Sequence, residues 1–131
     1  MRTIFPDEIT RECNGTYFVP KPYCYYIFLK NGTLHREDGP CVWSQNYSEW
    51  RFNGKIHRDK GPALVFAHYF RQWWKNGEKH RIGGPAVIVS DGTEEYWENG
   101  NLHRLDGPAV INKFGKQWWE NGKKIKVENN I

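Results

Sequence analysis

No stretch of this chain approaches the ~18 consecutive apolar residues that a membrane-spanning helix needs. Residues 1–8 contain no apolar run either, so no secretory leader is expected. Cysteine is scarce: Cys13, Cys24 and Cys41 are odd in number, and their spacing fits neither a disulfide framework nor a zinc site. A reducing cytosol, hence a cytoplasmic protein, is the expectation. Charge of one sign is also lacking. The 19 basic and 15 acidic side chains leave a net charge of +4. Residues 1–65 hold nine basic and seven acidic groups, and residues 66–131 ten and eight, so there is no polybasic tail. Helical periodicity is absent from residues 23–125. No Ser/His/Asp, Cys/His or phosphate-loop spacing stands out, so no catalytic residue and no cofactor is expected.

Aromatic residues are plentiful. Seven Trp, seven Tyr and seven Phe accompany a mean hydropathy of −0.83. Such a chain is too aromatic to be disordered, and large rings let even a thin fold bury apolar area. The aromatics recur with a period. Asn-Gly stands at Asn31, Asn53, Asn76, Asn99 and Asn121, in steps of 22 or 23 residues. His-Arg follows at His35, His57, His80 and His103, and Gly-Pro at Gly39, Gly61, Gly84 and Gly107. A fixed period of this length marks a repeat architecture.

Each unit carries two strand signals. One follows Gly-Pro, as in Ala86, Val87, Ile88 and Val89; the other runs into Asn-Gly, as in Arg71, Gln72, Trp73 and Trp74. Asn-Gly suits a tight hairpin turn with φ > 0 at both positions. Three residues before each Asn stands an aromatic: Phe28, Trp50, Trp73, Tyr96 or Trp118. After each Gly-Pro stands a small residue: Cys41, Ala63, Ala86 or Ala109. The expected fold is all-β: an elongated antiparallel meander of about four and a half hairpin units. Residues 1–22 form an N-terminal cap with a short helical turn after Pro6, residues 23–125 the repeats, and residues 126–131 a C-terminal tail. A hairpin is expected from residues 16–19 and 23–28 around Pro20 and Pro22.

The unit Trp-x-Asn-Gly-x-x-His, followed by Gly, a short apolar strand, Asp-Gly and Tyr or Trp, is similar to the MORN repeat. The similarity covers roughly residues 24–125. After the His, a MORN unit places Gly, whereas this chain has His-Arg-x-Asp-Gly-Pro at His35 and His103, and looser forms at His57 and His80. The chain thus resembles a MORN variant of the kind seen in bacterial, phage and large-virus proteins. The resemblance implies protein or lipid contact. It also carries the expectation of a phage or viral inhibitor of a host defence system, acting in the host cytoplasm.

Two sets of residues are candidates for a site. The loop pairs His35-Arg36, His57-Arg58, His80-Arg81 and His103-Arg104 invite a metal reading. Equivalent histidines in neighbouring units would lie ~9.5 Å apart, twice the strand spacing, too far to share one ion. Their expected role is to bond backbone groups at the Asn-Gly turns, with Arg36 and Arg104 pairing with Asp38 and Asp106. The second set is a tryptophan row. The position two before each Asn holds Leu29, Arg51, Trp74, Trp97 and Trp119. The last three are surplus to a structural need that Arg51 does not meet. With Trp43 they form an expected protein-docking face, rimmed by Lys75, Glu98, Lys116 and Glu120. Closure of that face by curling, by the N-terminal segment or by a homodimer is the competing expectation. Single-stranded nucleic acid, which stacks on aromatics, is the alternative partner, and a lipid surface a weaker one.

Overall fold

The computed structural model describes residues 2–130. Its one regular helical element is the 3-10 turn Pro6–Glu8, and the rest is strand and turn. Thirteen strands form one sheet. In spatial order they are Arg2–Thr3, Gly15–Val19, Tyr25–Lys30, Val42–Trp43, Tyr47–Glu49, Leu64–Phe66, Phe70–Gln72, Val87–Val89, Glu94–Glu95, Val110–Asn112, Gly115–Glu120 and Lys123–Asn129, with Thr33–Leu34 branching from Tyr25–Lys30. Spatial order is sequence order, so the fold is a meander. Every neighbouring pair is antiparallel except the first, where Arg2–Thr3 runs parallel to Gly15–Val19. The hairpin around Pro20 and Pro22 forms as expected.

The Asn-Gly turns have the geometry their sequence asks for. Asn φ values run from 48° to 52°, and the following glycines from 75° to 82°. Glycine accepts such angles freely and Asn better than most residues. One feature is absent from the sequence pattern. In the middle units the second strand breaks at the aromatic, and the chain continues as a separate two-stranded ribbon around Asn-Gly, such as Trp74–Lys75 with Glu78–Lys79. The hydrogen bonds explain the break. Trp73 donates its N–H to the Ala86 carbonyl of the next unit but accepts from His80 of its own loop, so pairing switches partner at the ring. Trp50 and Tyr96 do the same.

The small residues after Gly-Pro sit at this crossing. Cys41, Ala63, Ala86 and Ala109 are all 0% exposed, which leaves no room for a larger side chain. Burial pushes the Cys41 thiol pKa up, and its Sγ lies 3.3 Å from the Arg51 carbonyl, in keeping with an inert packing residue.

The sheet is one layer thick over most of its length. The protein exposes 8536 Å², against roughly 7,200 Å² for a compact protein of its mass. Among the described residues, one buried cluster forms, at the N-terminal end: Ile4, Tyr17, Val19, Ile27 and Leu29, with Ile9, Cys13 and Val42 packed against it. There the N-terminal segment lies over the sheet. The other end also departs from the expected boundary. Lys123–Asn129 pairs along Gly115–Glu120, so the expected tail at residue 126 begins inside a strand. No Gly-Pro interrupts this last segment, and the ladder simply continues.

Candidate functional site

The His-Arg loops are joints between units. The Nδ1 atoms of His35, His57, His80 and His103 accept the backbone N–H of Asn53, Asn76, Asn99 and Asn121 at 2.8–3.0 Å. The next N–H of each turn, from Gly54, Gly77, Gly100 and Gly122, goes to the carbonyl of Leu34, Ile56, Lys79 and Leu102. The Arg N–H of each loop donates to the carbonyl of Arg51, Trp74, Trp97 or Trp119 in the following unit. Three bonds thus tie each loop to the next hairpin. The N-terminal segment imitates a loop for the first hairpin: Asn14 Oδ1 accepts from Asn31 and the Cys13 carbonyl from Gly32. With Nδ1 occupied as an acceptor, each neutral ring carries its proton on Nε2. That atom lies 3.1 Å from Asp59 for His57 and 3.7 Å from Glu37 for His35.

The loop arginines cover the aromatics of their own units. Cζ of Arg36, Arg58, Arg81 and Arg104 lies 4.8, 3.8, 3.8 and 3.9 Å from the ring centroids of Phe28, Trp50, Trp73 and Tyr96. Each cation–π contact contributes about 0.5–2 kcal/mol. Nη1 donates to the carbonyl of Pro40, Pro62, Pro85 or Pro108. A Cβ on the glycine before each proline would sit 2.8–2.9 Å from the guanidinium carbon, which explains that glycine. Arg36 and Arg104 also bind Asp38 and Asp106, Nε to Oδ1 at 3.1 Å. Partial burial lowers the pKa of Arg58.

The opposite face carries the tryptophan row. Val87 pairs with Gln72 and Glu95 across the sheet, and these side chains share its face. Trp74, Trp97 and Trp119 lie on that face too, because their indole Nε1 atoms donate to Gln72, Glu95 and Gln117 at 2.8–2.9 Å. In the second unit Arg51 replaces the indole, and its Nε bonds Glu49 Oε2. Tyr47 donates its hydroxyl to the same carboxylate at 2.6 Å, and burial with this bond pushes the Tyr47 pKa up. Lys79 reaches both neighbouring rings, 5.8 Å from the Trp74 centroid and 4.7 Å from Trp97, and Lys124 lies 5.5 Å from Trp119. The three tryptophans are half-buried.

The expected docking set is therefore divided. Trp43 lies on the loop-arginine face, stacked on Tyr26 at 5.6 Å and 5.6 Å from Arg36. Lys75, Glu98 and Glu120 directly follow the tryptophans in their strands and so point to that face as well. Glu98 Oε2 lies 4.0 Å from His103 Nε2. Lys116 pairs with Ile111, one residue out of step with the tryptophan face. The charged neighbours of the row are Glu95, Lys79 and Lys124 instead. Two rules could have found them: residues two apart share a face, and a two-residue turn at Asn76 and Gly77 sets Trp74 opposite Lys79.

Among the described residues, no three His, Cys, Asp or Glu side chains group as metal ligands, and no helix is long and apolar enough to cross a membrane. Comparison with known proteins finds no matching family model, no matching curated protein and no matching solved structure.

Proposed function

We propose that this chain is a non-enzymatic docking protein whose tryptophan row, Trp74, Trp97 and Trp119, meets a protein partner. One observation carries the reading: the same slot is covered by the chain at one end and uncovered at the other. Leu29 is 2% exposed beside Ile4 and Ile9 of the N-terminal segment, whereas the three tryptophans keep part of their surface in water. Side-chain hydrogen bonds hold the indoles in fixed positions, so little entropy is lost on contact. Trp is the residue type most enriched at binding hot spots. Rings with Glu95 on one side and Lys79 on the other favour a protein over nucleic acid, since a carboxylate beside the stack repels phosphates. A lipid surface is disfavoured on the same ground. A role as a phage or viral inhibitor in a host cytoplasm is part of the proposal and rests on the MORN-like repeat pattern alone.

The test uses one variant and two measurements. Trp97→Ala and wild-type protein serve as baits in host cytosol, and the captured protein is titrated against both. The proposal expects affinity to fall by ~2 kcal/mol or more, while the variant stays folded and loses less stability than the ~3–5 kcal/mol of a buried Trp→Ala change. A variant that unfolds, or one that folds and binds normally, removes the row as the site. Light scattering on the free protein tests the competing occupant: a stable mass of twice 15.5 kDa that Trp97→Glu returns to monomer would make a second copy the partner.

A further inference from the structure

The four loops share one architecture but not one charge. In the first and fourth, Asp38 and Asp106 bind the Nε edge of the loop arginine at 3.1 Å. In the second and third, Lys60 and Gly83 occupy that slot, and neither Arg58 nor Arg81 has a carboxylate partner among the described residues. The guanidinium is nonetheless placed alike. Cζ lies 3.8 Å over the Trp50 or Trp73 ring, and Nη1 donates to the Pro62 or Pro85 carbonyl at 3.2 or 3.0 Å. The Nε edge therefore points where Asp38 and Asp106 sit in the outer units. No side-chain nitrogen among the described residues is buried without a partner, so these two edges are open to water.

We propose that Arg58 and Arg81 together seat two carboxylates of one extended acidic segment in a protein partner. The chain itself supplies the template, because the outer loops hold a carboxylate in this geometry. Charge agrees. The first loop carries two acidic residues, Glu37 and Asp38, whereas residues 80–84 of the third carry none. In the second, Asp59 is engaged by His57 at 3.1 Å, and Lys60 adds a further positive charge. A cavity of about 730 Å³ lies between Arg36 and Arg58, with Lys60 in its wall, and one of about 360 Å³ lies between Arg81 and Arg104.

Spacing decides the form of the ligand. Each unit adds two strands to the ladder, so equivalent arginines step by ~9.5 Å. An extended polyproline-type segment rises ~3.1 Å per residue, so carboxylates three residues apart are separated by ~9.3 Å. Glu or Asp at every third position would match the arginines. This surface lies on the face opposite the tryptophan row and does not depend on that row being a docking site.

The experiment titrates a labelled synthetic peptide of Ala and Pro, with Glu at every third position, against the whole protein at low salt. A peptide with Gln in place of Glu is the control. The Glu peptide should bind and the Gln peptide should not. Arg81→Gln should weaken binding by about tenfold or more, the scale of one lost charged hydrogen bond. Lys60→Asp should do the same without lowering the melting temperature, because it gives the second loop the internal carboxylate of the first. Trp97→Ala should leave peptide affinity unaltered. Equal binding of the Glu and Gln peptides would overturn the proposal, as would a folded Lys60→Asp protein with wild-type affinity. Binding to phosphatidylserine vesicles without binding to the peptide would overturn it in favour of lipid phosphates.

Discussion

Leu29 and Trp97 occupy the same slot of their units, yet one is core and the other is surface. Around Leu29, the N-terminal segment contributes Ile4 and Ile9 and closes the one buried cluster among the described residues. Around Trp97, the same sheet face carries Glu95 and Lys79, and the ring stays partly exposed. The fold tolerates both because its units are joined elsewhere. Loop histidines and backbone carbonyls hold each unit to the next along the other edge, while arginine–aromatic stacks brace each unit on the other face. With stability supplied there, this face need not be filled in every unit. Arg51, bonded to Glu49, is the intermediate case: a polar solution in the same slot.

The largest expected contrast between the two ends is in core truncation. Leu29→Ala should cost about 2–5 kcal/mol, as large-to-small changes in a packed core do. Trp97→Ala removes a bigger side chain but should cost only about 1–2 kcal/mol, since part of the ring is already in water. Chemical denaturation of the two variants measures both. Equal losses would mean that the tryptophan end is core as well.

A second contrast lies in the turns. Gly32 and Gly77 share their φ region, at 75° and 82°. A Cβ on Gly32 would collide with the Thr10 carbonyl oxygen of the N-terminal segment, whereas a Cβ on Gly77 meets nothing closer than 3.8 Å. Gly77→Ala should cost the left-handed penalty of about 1–2 kcal/mol. Gly32→Ala should cost that and the displaced segment besides. Melting curves in which Gly32→Ala is the milder change would show that the segment does not press on the first turn.

The joints should matter less, and similarly at both ends. His80→Ala leaves the Asn99 N–H without its acceptor, a loss of about 1 kcal/mol because water can reach the exposed turn. The smallest effect concerns acid. Arg36 beside Asp38 holds its carboxyl pKa below the ordinary 3.8. The pair therefore contributes above that value, and its contribution fades as pH falls through the lowered folded-state pKa. A melting-temperature difference between wild type and Asp38→Asn should be small at neutral pH and vanish in acid. The second unit, with Lys60 in that slot, should give no such difference for Lys60→Gln.

Much of this fold was legible because the repeat compares the chain with itself. Five Asn-Gly pairs fix the turns, four small residues fix the crossing, and Arg51 among tryptophans marks a slot the fold does not require to be apolar. The role of the histidines follows from backbone groups of the turns that need partners, and that of Arg36 and Arg104 from the nearby Asp38 and Asp106. What escaped was placement. The rim was assigned to sequence neighbours of the tryptophans, which alternate to the other face, whereas Glu95 and Lys79 reach the row by strand period and turn register. The break at Trp50, Trp73 and Tyr96 left no sign because it depends on a long-range exchange of hydrogen bonds. Closure of the first unit alone could not be read either, since nothing in residues 1–14 states how far they extend over the sheet.

Hydroxyl-radical footprinting of the single slot, in free and partner-bound protein, tests the central claim most directly. The expected result is that Trp74, Trp97 and Trp119 are oxidised in the free protein and protected by the partner, while Leu29 stays unmodified in both. Tryptophans already protected in the free protein, or oxidised equally with and without the partner, would contradict it.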